Sequence, residues 1–266
     1  ADIVVDCSGS FKDPTVPVDD KKGSIRGHLN GGAKAVIHSA PFKIKNKALP
    51  TPEDTTTLIY GINHTAFNPK KHLLISAASC TTTGLAHMVK PLLDNKETST
   101  ILTASMSTIH AVTNTQSVLD KLPKAGEKDI RKTRSILNNI ILTSTGAAKA
   151  LAEVIPEVKN IGFMGDSIRV PTNTLSLIVL NATFQARNND KAAAAGLDTK
   201  KLNEIYAKAA QDNPLVRFTM EQNVSTDLIG EDAAVIIEGQ FNHTRTAFIP
   251  VDLSHIPNLP ADLVKS

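Results

Sequence analysis

The chain contains no tryptophan, only two tyrosines and only two cysteines in 266 residues. The cysteines, Cys7 and Cys80, lie far apart, so the sequence indicates neither a disulfide framework nor closely spaced thiols for zinc, and we expect no bound metal. No apolar run approaches the length of a membrane span, and the first residues do not form a signal-peptide pattern. A cytoplasmic protein without a membrane partner is therefore the default expectation.

Charge of one sign is not in large excess. The formal net charge is +3 and the isoelectric point is about 8.8, and the basic residues are scattered along the chain. This distribution argues against a nucleic-acid partner but suits a small anionic substrate. The apolar content of 41% and the charged content of 21% are ordinary for a globular protein whose length allows two domains or subdomains.

The first 79 residues have an α/β pattern. Short continuous apolar runs separated by polar, glycine-rich stretches are typical of buried parallel strands. A brief helix is predicted to end at Gly31. The predicted strands contain residues 3–5, 35–37, 58–60 and 73–75.

The pattern changes after Cys80. A helix is predicted there by Leu85, Met88, Val89 and Leu92, and Pro91 is expected to kink or end it. A long polar excursion, 114–134, is predicted to be a loop. Long strands with few helices indicate a mainly antiparallel sheet covered by helices. Strands are predicted at 100–112, 174–186 and 233–241, and an amphipathic helix at Leu202, Ile205, Tyr206 and Ala209.

Cys80 stands where a predicted strand, 72–79, gives way to that helix. The positive end of the helix dipole and its unpaired N–H groups favour the thiolate form of a cysteine and make it a nucleophile. The alternative interpretation is a small buried residue at a strand end. A nucleophilic cysteine also needs a partner that moves protons.

His110 is the candidate partner, because it lies near the end of the strong strand 100–112. The alternative is an ordinary core or surface histidine. The other histidines have no comparable context, and we predict no catalytic role for them; His87, on the helix after Cys80, is expected to face solvent. They are His28, His38, His64, His72, His87, His243 and His255.

A candidate anion site lies at 143–149, where a hydroxyl-rich loop reaches Gly146 and opens the helical run 147–155. Taken alone, this pattern also fits an ordinary helix N-terminus. Arg169 precedes a predicted strand, and an isolated arginine there is more often a surface residue. With the hydroxyls, however, it could bind an anion.

Four motifs follow one another in a fixed order: ASCTT at 78–82, IHAVTNTQ at 109–116, STGAAKA at 144–150 and RVPT at 169–172. This combination resembles the glyceraldehyde-3-phosphate dehydrogenase family. The resemblance extends over nearly all of the chain, including 39–41, 61–64 and 222–231.

The resemblance implies a fold and a cofactor. Residues 1–79 would be the remainder of a parallel Rossmann-type sheet from the dinucleotide-binding domain. Residues 80–266 would be an α+β catalytic domain. The cofactor would be NAD or NADP, the substrates glyceraldehyde 3-phosphate and inorganic phosphate, and the assembly a homotetramer.

The resemblance also implies residue roles. Cys80 would attack the aldehyde, and His110 would accept its proton before hydride transfer and phosphate attack on the thioester. The remaining roles concern phosphate and cofactor binding. Ser79, Thr81, Thr145 and Gly146 match the site of the attacking phosphate, Thr113, Arg169 and Arg134 match the substrate-phosphate region, and Cys7, Ser8, Gly9 and Ser39 match the cofactor side.

The chain departs from the family pattern in several places. Thr83 and Gly84 stand where the family has asparagine and a second cysteine, and the loss of asparagine is expected to loosen the turn that supports Cys80. The glycine-rich dinucleotide fingerprint, its ribose-binding acid and the family's tryptophan-containing C-terminal segment are absent from the sequence. We therefore expect a chain cut at both ends that binds NAD weakly.

Two other functions stay open at this point. The chain could be a related dehydrogenase for another phosphorylated aldehyde, such as erythrose 4-phosphate, since Arg169 and Thr113 do not fix the substrate's length. It could also be an impaired fragment or paralogue that acts as an interaction module. The presence of Cys80, His110 and Arg169 together argues against a complete loss of chemistry.

Overall fold

The computed structural model describes residues 1–185 and 197–246. The last residue of the strand predicted at 174–186, the C-terminal stretch 247–266 and His255 lie outside the described residues. Within the described ranges, no helix is both long and apolar enough to cross a bilayer.

The first sheet contains four parallel strands in the order β1-β2-β4-β3, as the sequence predicts for this part of the chain. A short helix, α1, ends at Gly31 as predicted, and a small core of Ile25, Val36 and Leu74 lies against the sheet. The elements are β1 (Ile3–Asp6), α1 (Arg26–Asn30), β2 (Ala35–His38), β3 (Thr55–Thr57) and β4 (Leu74–Ser76).

The position of β3 corrects the sequence prediction, which put this strand at 58–60. The Asn63 side chain accepts the N–H of Ile59 at 2.7 Å and donates to the carbonyl of Thr57 at 3.0 Å. These two bonds hold residues 58–63 in a turn. The apolar run is therefore the buried start of a loop, with Ile59 only 2% exposed.

The second sheet is mixed and has the order β6-β7-β5-β8. The outer pairings, β6–β7 and β5–β8, are antiparallel, while the central pairing of β5 with β7 is parallel. A mainly antiparallel sheet is thus confirmed, but β7 is missing from the sequence prediction, and β6 falls partly in a predicted loop. The strands are β5 (Ile101–His110), β6 (Ile141–Ser144), β7 (Gly162–Arg169) and β8 (Leu177–Phe184).

The strand predicted at 233–241 does not join this sheet. The structure has a shorter strand there. It pairs in parallel with a second strand that the sequence analysis did not predict. Leu92, Tyr206, Val216 and Ile237 form a separate small core that holds the pair against two helices. These elements are α2 (Cys80–Asp94), α4 (Thr199–Asp212), β9 (Val216–Thr219) and β10 (Val235–Glu238).

Helix α2 continues through Pro91, where the sequence predicts that the helix kinks or ends. Proline has no N–H for the carbonyl four residues earlier, a loss that costs about 3 kcal/mol in a helix interior. Buried Leu85, Val89 and Leu92 anchor the helix on both sides of the proline. The Tyr206 hydroxyl also donates to the nearby Met88 carbonyl at 3.0 Å. Tertiary packing therefore outweighs the helix-breaking residue.

The remaining elements are short. Helix α3 (Ala147–Val154) follows β6 as predicted and packs on α2 within the main core. The polar excursion 114–134 is mostly loop, as predicted, and contains one short 3-10 helix near its end. The 3-10 helices are His64–Ala66, Ile130–Thr133, Pro156–Asn160, Ser225–Leu228 and Gly239–Phe241.

Candidate active site

Cys80 is the first residue of α2, and its thiol is free and exposed. Ser79 caps this helix: its Oγ accepts the N–H of Thr82 at 3.1 Å and shares a hydrogen bond with the Thr82 hydroxyl at 2.7 Å. The chain therefore delivers the thiol to the positive end of a four-turn helix, the setting that the sequence predicts.

A sharp bend at Ala78 produces this placement. Ala78 has a φ of 59° although it is not glycine, and it is 1% exposed. The left-handed conformation costs an alanine about 1–2 kcal/mol. Its N–H donates to the Ser76 Oγ at 3.1 Å, and that hydroxyl donates to the Ala40 carbonyl at 3.0 Å. The strained bend is thus fixed by the end of β4 and, through Ser76, by the loop after β2.

Removal of the cap should destabilise the protein measurably. Ser79→Ala leaves the Thr82 N–H without its side-chain acceptor, so we expect a loss of about 1 kcal/mol in the free energy of unfolding. Ser79→Asp, which restores an acceptor, should recover most of it. Urea denaturation of the three proteins measures this, and an unchanged midpoint for Ser79→Ala would contradict the capping role.

Thr83 and Gly84, the two residues that depart from the family pattern, lie in the first turns of α2. The Thr83 N–H makes the first backbone bond of α2, to the Ser79 carbonyl at 2.8 Å. Gly84 lies where the helix crosses β8, and an added Cβ would approach the Ile178 Cδ1 to 3.1 Å. A small residue therefore suits position 84. The effect of losing asparagine at position 83 stays a prediction.

His110 meets the thiol from β5, since its Nε2 lies 3.4 Å from the Cys80 Sγ. The other ring nitrogen, Nδ1, lies 2.7 Å from the carbonyl oxygen of Ala111. The Arg169 Nη1, which can only donate, lies 2.5 Å from the same Nδ1 and favours a lone pair there. The Ala111 carbonyl can only accept, and it favours a proton on Nδ1 with the Nε2 lone pair facing the sulfur. In this tautomer the histidine can accept the thiol proton.

The surroundings keep His110 neutral. Burial lowers its pKa below the ordinary 6.5, and the positive charge of Arg169 lowers it further, while the hydrogen bond to Ala111 acts in the opposite direction. Neutral imidazole is the form that a general base requires. The geometry therefore allows His110 to act as a base toward the Cys80 thiol.

Arg169 lies next to these two residues. It is therefore not the isolated arginine ahead of a strand that its local sequence suggested. It is the last residue of β7, directly opposite His110 at the end of β5. Its Nη1 donates to the Ala111 carbonyl at 3.1 Å and touches the His110 Nδ1. The guanidinium is therefore held beside the thiol by parallel strand pairing.

The guanidinium of Arg169 has one unused donor. Its Nε is buried without a hydrogen-bond partner in the described part of the chain. Burial lowers the pKa of Arg169, and the electrostatic effect of Cys80 opposes this shift. A buried donor without a partner is costly unless an acceptor reaches it. An anion bound beside Arg169 could satisfy this donor.

Thr113 lies on the loop next to this arginine. The loops after β5 and β7 run side by side, with the Val112 N–H bound to the Thr172 carbonyl at 2.9 Å. The Thr113 hydroxyl donates to the Gln116 side chain at 2.9 Å and lies 2.9 Å from the Thr115 hydroxyl. These contacts fix Thr113 beside the strand end that carries Arg169.

Thr145 and Gly146 lie at the other end of β6. The antiparallel register puts Ile141 opposite Arg169 and Ser144 opposite Asp166, so the turn that begins at Thr145 is about four strand residues, roughly 13 Å, from the arginine. The Thr145 hydroxyl accepts the Ala147 N–H at 3.2 Å at the start of α3. A second anion site there would be separate from the Arg169 site.

Arg134 does not contact Cys80 in the described part of the chain. Its side chain is 63% exposed, and its Nε pairs with the Asp120 carboxylate at 3.2 Å. Surface pairs of this kind contribute little to stability. Arg134 could therefore leave Asp120 for a stronger anion, and its predicted phosphate contact stays a prediction.

The predicted cofactor residues lie together on the first sheet. Cys7, Ser8 and Gly9 follow β1, and Ser39 follows β2, so both loops leave the carboxyl edge of neighbouring parallel strands. The Ser39 N–H donates to the Asp6 carbonyl at 3.0 Å, which joins the loops directly. Ligands of open parallel sheets bind outside this edge.

Sequence reasoning missed two buried histidines. His87, expected to face solvent, is 1% exposed, and burial lowers its pKa; its Nδ1 lies 3.3 Å from the Asn213 amide. His38 is fully buried opposite Asp6. For His38, the signal was its position at the end of an apolar parallel strand, which predicts burial on both faces.

An open groove of about 2350 Å³ begins at Cys80 and His110 and follows β8. Within the described ranges, no three histidine, cysteine, aspartate or glutamate side chains are grouped so as to hold a metal ion. The fold and the site together define an α/β protein in which an exposed cysteine, a histidine of lowered pKa and an arginine with an unused donor lie together.

Comparison with known proteins agrees with this class. The family model described as glyceraldehyde 3-phosphate dehydrogenase, C-terminal domain, matches residues 79–250. The glyceraldehyde-3-phosphate dehydrogenase of Chlamydia pneumoniae is 37% identical over 237 residues, covering 89% of this chain and 62% of the relative. That of Geobacillus stearothermophilus is 35% identical over 240 residues, covering 90% and 64%. The chain belongs to the glyceraldehyde-3-phosphate dehydrogenase family and spans about three fifths of the length of these relatives.

Proposed function

We propose that this chain carries the catalytic machinery of a phosphorylating glyceraldehyde-3-phosphate dehydrogenase, an oxidoreductase that converts the aldehyde and inorganic phosphate into an acyl phosphate. The observation that carries this proposal is the convergence of the Cys80 thiol, a neutral His110 and the under-used Arg169 guanidinium. The family membership supports it.

In the first step the Cys80 sulfur forms a bond to the aldehyde carbon. The thiol proton passes to the Nε2 of His110, and the resulting imidazolium can donate it to the aldehyde oxygen, which gives a thiohemiacetal. For oxidation, His110 takes the hydroxyl proton back as hydride leaves the carbon. The Cys80 sulfur then holds the acyl group as a thioester until a phosphate oxygen attacks it and the thiolate is released.

A nicotinamide cofactor, NAD or NADP, supplies the hydride acceptor. The residues that follow β1 and β2 fit the nicotinamide end of the cofactor. Ser8 and Ser39 are exposed on adjoining loops, and Gly9, which has a φ of 65°, turns the chain without adding a side chain there. Cys7, Ser8, Gly9 and Ser39 would line this side and orient the ring toward Cys80. We propose further that residues 1–79 form the cofactor part and residues 80–266 the catalytic domain.

Two phosphate groups need two positions. Arg169 and Thr113 would hold the substrate's own phosphate, because charge-assisted bonds from a guanidinium are the strongest available there. Ser79, Thr81, Thr145 and Gly146 would form the position of the attacking phosphate, which uses the N-termini of α2 and α3. Arg134 would join the first position after leaving Asp120.

Both thiols of the chain are free and exposed. Free nucleophilic cysteines persist in a reducing compartment, which supports a cytoplasmic site of action.

A homo-oligomer, a tetramer by family resemblance, is supported by one face of the mixed sheet. Strand register aligns Leu142, Ile168, Ile109 and Leu177 in a single row across all four strands. Leu142 and Leu177 are 54% and 58% exposed. An apolar row of this length on an open sheet face suits contact with a second copy.

A charge in this row should break the assembly. Leu177→Lys adds an unpaired cation to the proposed contact, so sedimentation velocity should show a smaller species than the wild type. Because Leu177 is largely exposed, the fold should be kept. Gln211→Lys, a matched change on the exposed surface of α4, should leave the sedimentation coefficient unchanged. Equal behaviour of the two variants would remove this face from the interface.

Acyl transfer tests the chemistry without the cofactor. Acetyl phosphate should acylate Cys80, as the sulfur–carbon bond forms and inorganic phosphate leaves, and mass spectrometry of digested protein should find the acetyl group there. Cys80→Ser should lose the adduct, and Cys7→Ser should keep it. An assay of reduced cofactor with glyceraldehyde 3-phosphate or erythrose 4-phosphate then compares substrates. No acylation of Cys80 would overturn the proposed function.

A further inference from the structure

A buried carboxylate and a buried imidazole face each other beneath the proposed cofactor loops. The Asp6 side chain is 4% exposed and the His38 side chain is 0% exposed, and Asp6 Oδ2 lies 3.4 Å from His38 Nδ1. Asp6 Oδ2 and both ring nitrogens of His38 have no hydrogen-bond partner within the described ranges. The mechanism above uses neither residue.

Strand pairing brings the two side chains together. Asp6 is the last residue of β1 and lies directly opposite His38, the last residue of β2. The second titratable neighbour is His28 on α1, whose Nε2 is 4.0 Å from the same carboxylate oxygen and whose side chain is 35% exposed. On its other side His38 faces β4 at Ser76, an uncharged residue, and its ring stacks on Phe42.

A buried carboxylate oxygen without a partner costs several kcal/mol unless a positive charge or a donor reaches it. Burial alone would raise the pKa of Asp6, yet hydrogen bonding by Ser8 and the charges of His38 and His28 outweigh it and hold that pKa below 3.8. Asp6 is therefore ionised at neutral pH. His38, 3.4 Å away, is the nearest side chain that could carry a counter-charge.

The other oxygen of Asp6 controls the turn above. Asp6 Oδ1 accepts the Ser8 N–H at 2.8 Å, and the Asp6 carbonyl accepts the Ser39 N–H at 3.0 Å. Movement of the carboxylate toward or away from His38 therefore acts on the Ser8 turn through Oδ1, and the Ser39 loop is coupled to the pair through the backbone of Asp6 and through His38, the residue directly before Ser39. Ser8 and Ser39 are the residues that would meet the nicotinamide end of a cofactor.

We propose that Asp6 and His38 are a positioning pair, in which a proton on His38 draws the Asp6 carboxylate into an ion pair and fixes the loops that carry Ser8 and Ser39. Loss of this proton leaves Asp6 with the more distant, partly exposed His28 and loosens the Ser8 turn. The link to cofactor binding rests on the proposed function; the link between the proton and the loops does not.

Nuclear magnetic resonance on the 266-residue chain tests the proposal directly. Between pH 5 and 8, where histidine changes its charge, the backbone amide resonances of Ser8 and Ser39 should shift with the same midpoint as the ring protons of His38. His38→Gln, which keeps a donor but cannot titrate, should lose this shift. His28→Gln, the matched change at the second histidine, should retain it.

Two results would overturn the proposal: amide shifts that follow the ring of His28, or amides of Ser8 and Ser39 that do not move while His38 titrates. The wild-type comparison alone decides this if His38→Gln does not fold. Calorimetric titration with NAD forms a separate arm, in which affinity should fall as His38 loses its proton. Absence of NAD binding at every pH counts against the proposed function and leaves the amide result standing.

Discussion

Iodoacetamide should modify Cys80 rapidly and stoichiometrically at neutral pH while Cys7 reacts slowly. Both thiols are exposed, so accessibility does not separate them. Cys80 has a helix N-terminus, a neutral histidine 3.4 Å away and the Arg169 guanidinium nearby, three features that promote attack by the sulfur. Cys7 lies on the loop after β1 and has none of these three features among its described surroundings.

Substitutions should separate the contributions of Cys80 and His110 to the labelling rate. Cys80→Ser should abolish the fast label, and His110→Asn should slow it by about 100-fold, the lower range for a general base. Because the pKa of His110 lies below 6.5, the wild-type rate should show a further decline below that pH that His110→Asn lacks. Peptide mapping of the labelled cysteine gives the measurement, with Cys7→Ser as control. Equal, slow labelling of both cysteines would contradict the nucleophile assignment.

Arg169→Ala should have the second large effect, on use of the phosphorylated aldehyde. Removing one partner of a buried, charge-assisted contact costs about 2–4 kcal/mol, which corresponds to about 30- to 1000-fold in kcat/KM. Arg169→Lys should recover only part of this, since an ammonium keeps the charge but lacks the planar donor pair. Steady-state kinetics with glyceraldehyde 3-phosphate provides the measurement.

The comparison needs a control for the general loss of a cation. Arg217 pairs with Glu231 on the surface of the small parallel sheet, away from the cysteine, and its side chain is 51% exposed. Arg217→Ala should leave kcat/KM within about twofold, in line with the small contribution of surface pairs. An aldehyde without a phosphate group should lose little with Arg169→Ala. A kinetically silent Arg169→Ala would remove this residue from the site.

The cysteine and histidine were predictable because their local patterns are strong. A strand, a hydroxyl-rich turn and a helical period surround Cys80, and β5 has enough apolar and β-branched residues to be recognised up to His110. Arg169 was predictable as a motif member but not as a neighbour of His110. Its strand, GFMGDSIR, contains two glycines and an aspartate, which have low strand propensity. Pairing with β5 and β6 on both sides decides its conformation instead.

Contacts between distant residues also limit sequence-based prediction elsewhere in the fold. Three of the four parallel strands of the first sheet are short apolar runs, and the prediction found those three; the fourth, β3, consists of threonines. The run at 58–60 was misplaced because apolar character indicates burial, whereas the Asn63 side chain decides that the backbone turns. The Asp6–His38 contact depends on strand register between residues 32 positions apart, which no local pattern contains.

The left-handed bend at Ala78 has a consequence for how fast the site can act. Because the bend is formed once, during folding, and is held by Ser76 and the capped start of α2, the thiol does not search for its position when an aldehyde arrives. The entropy of locating the nucleophile is removed before the first encounter, and little reorganisation is left for each turnover. Under the proposed function, capture of the aldehyde would then need little movement of the helix start that carries the sulfur.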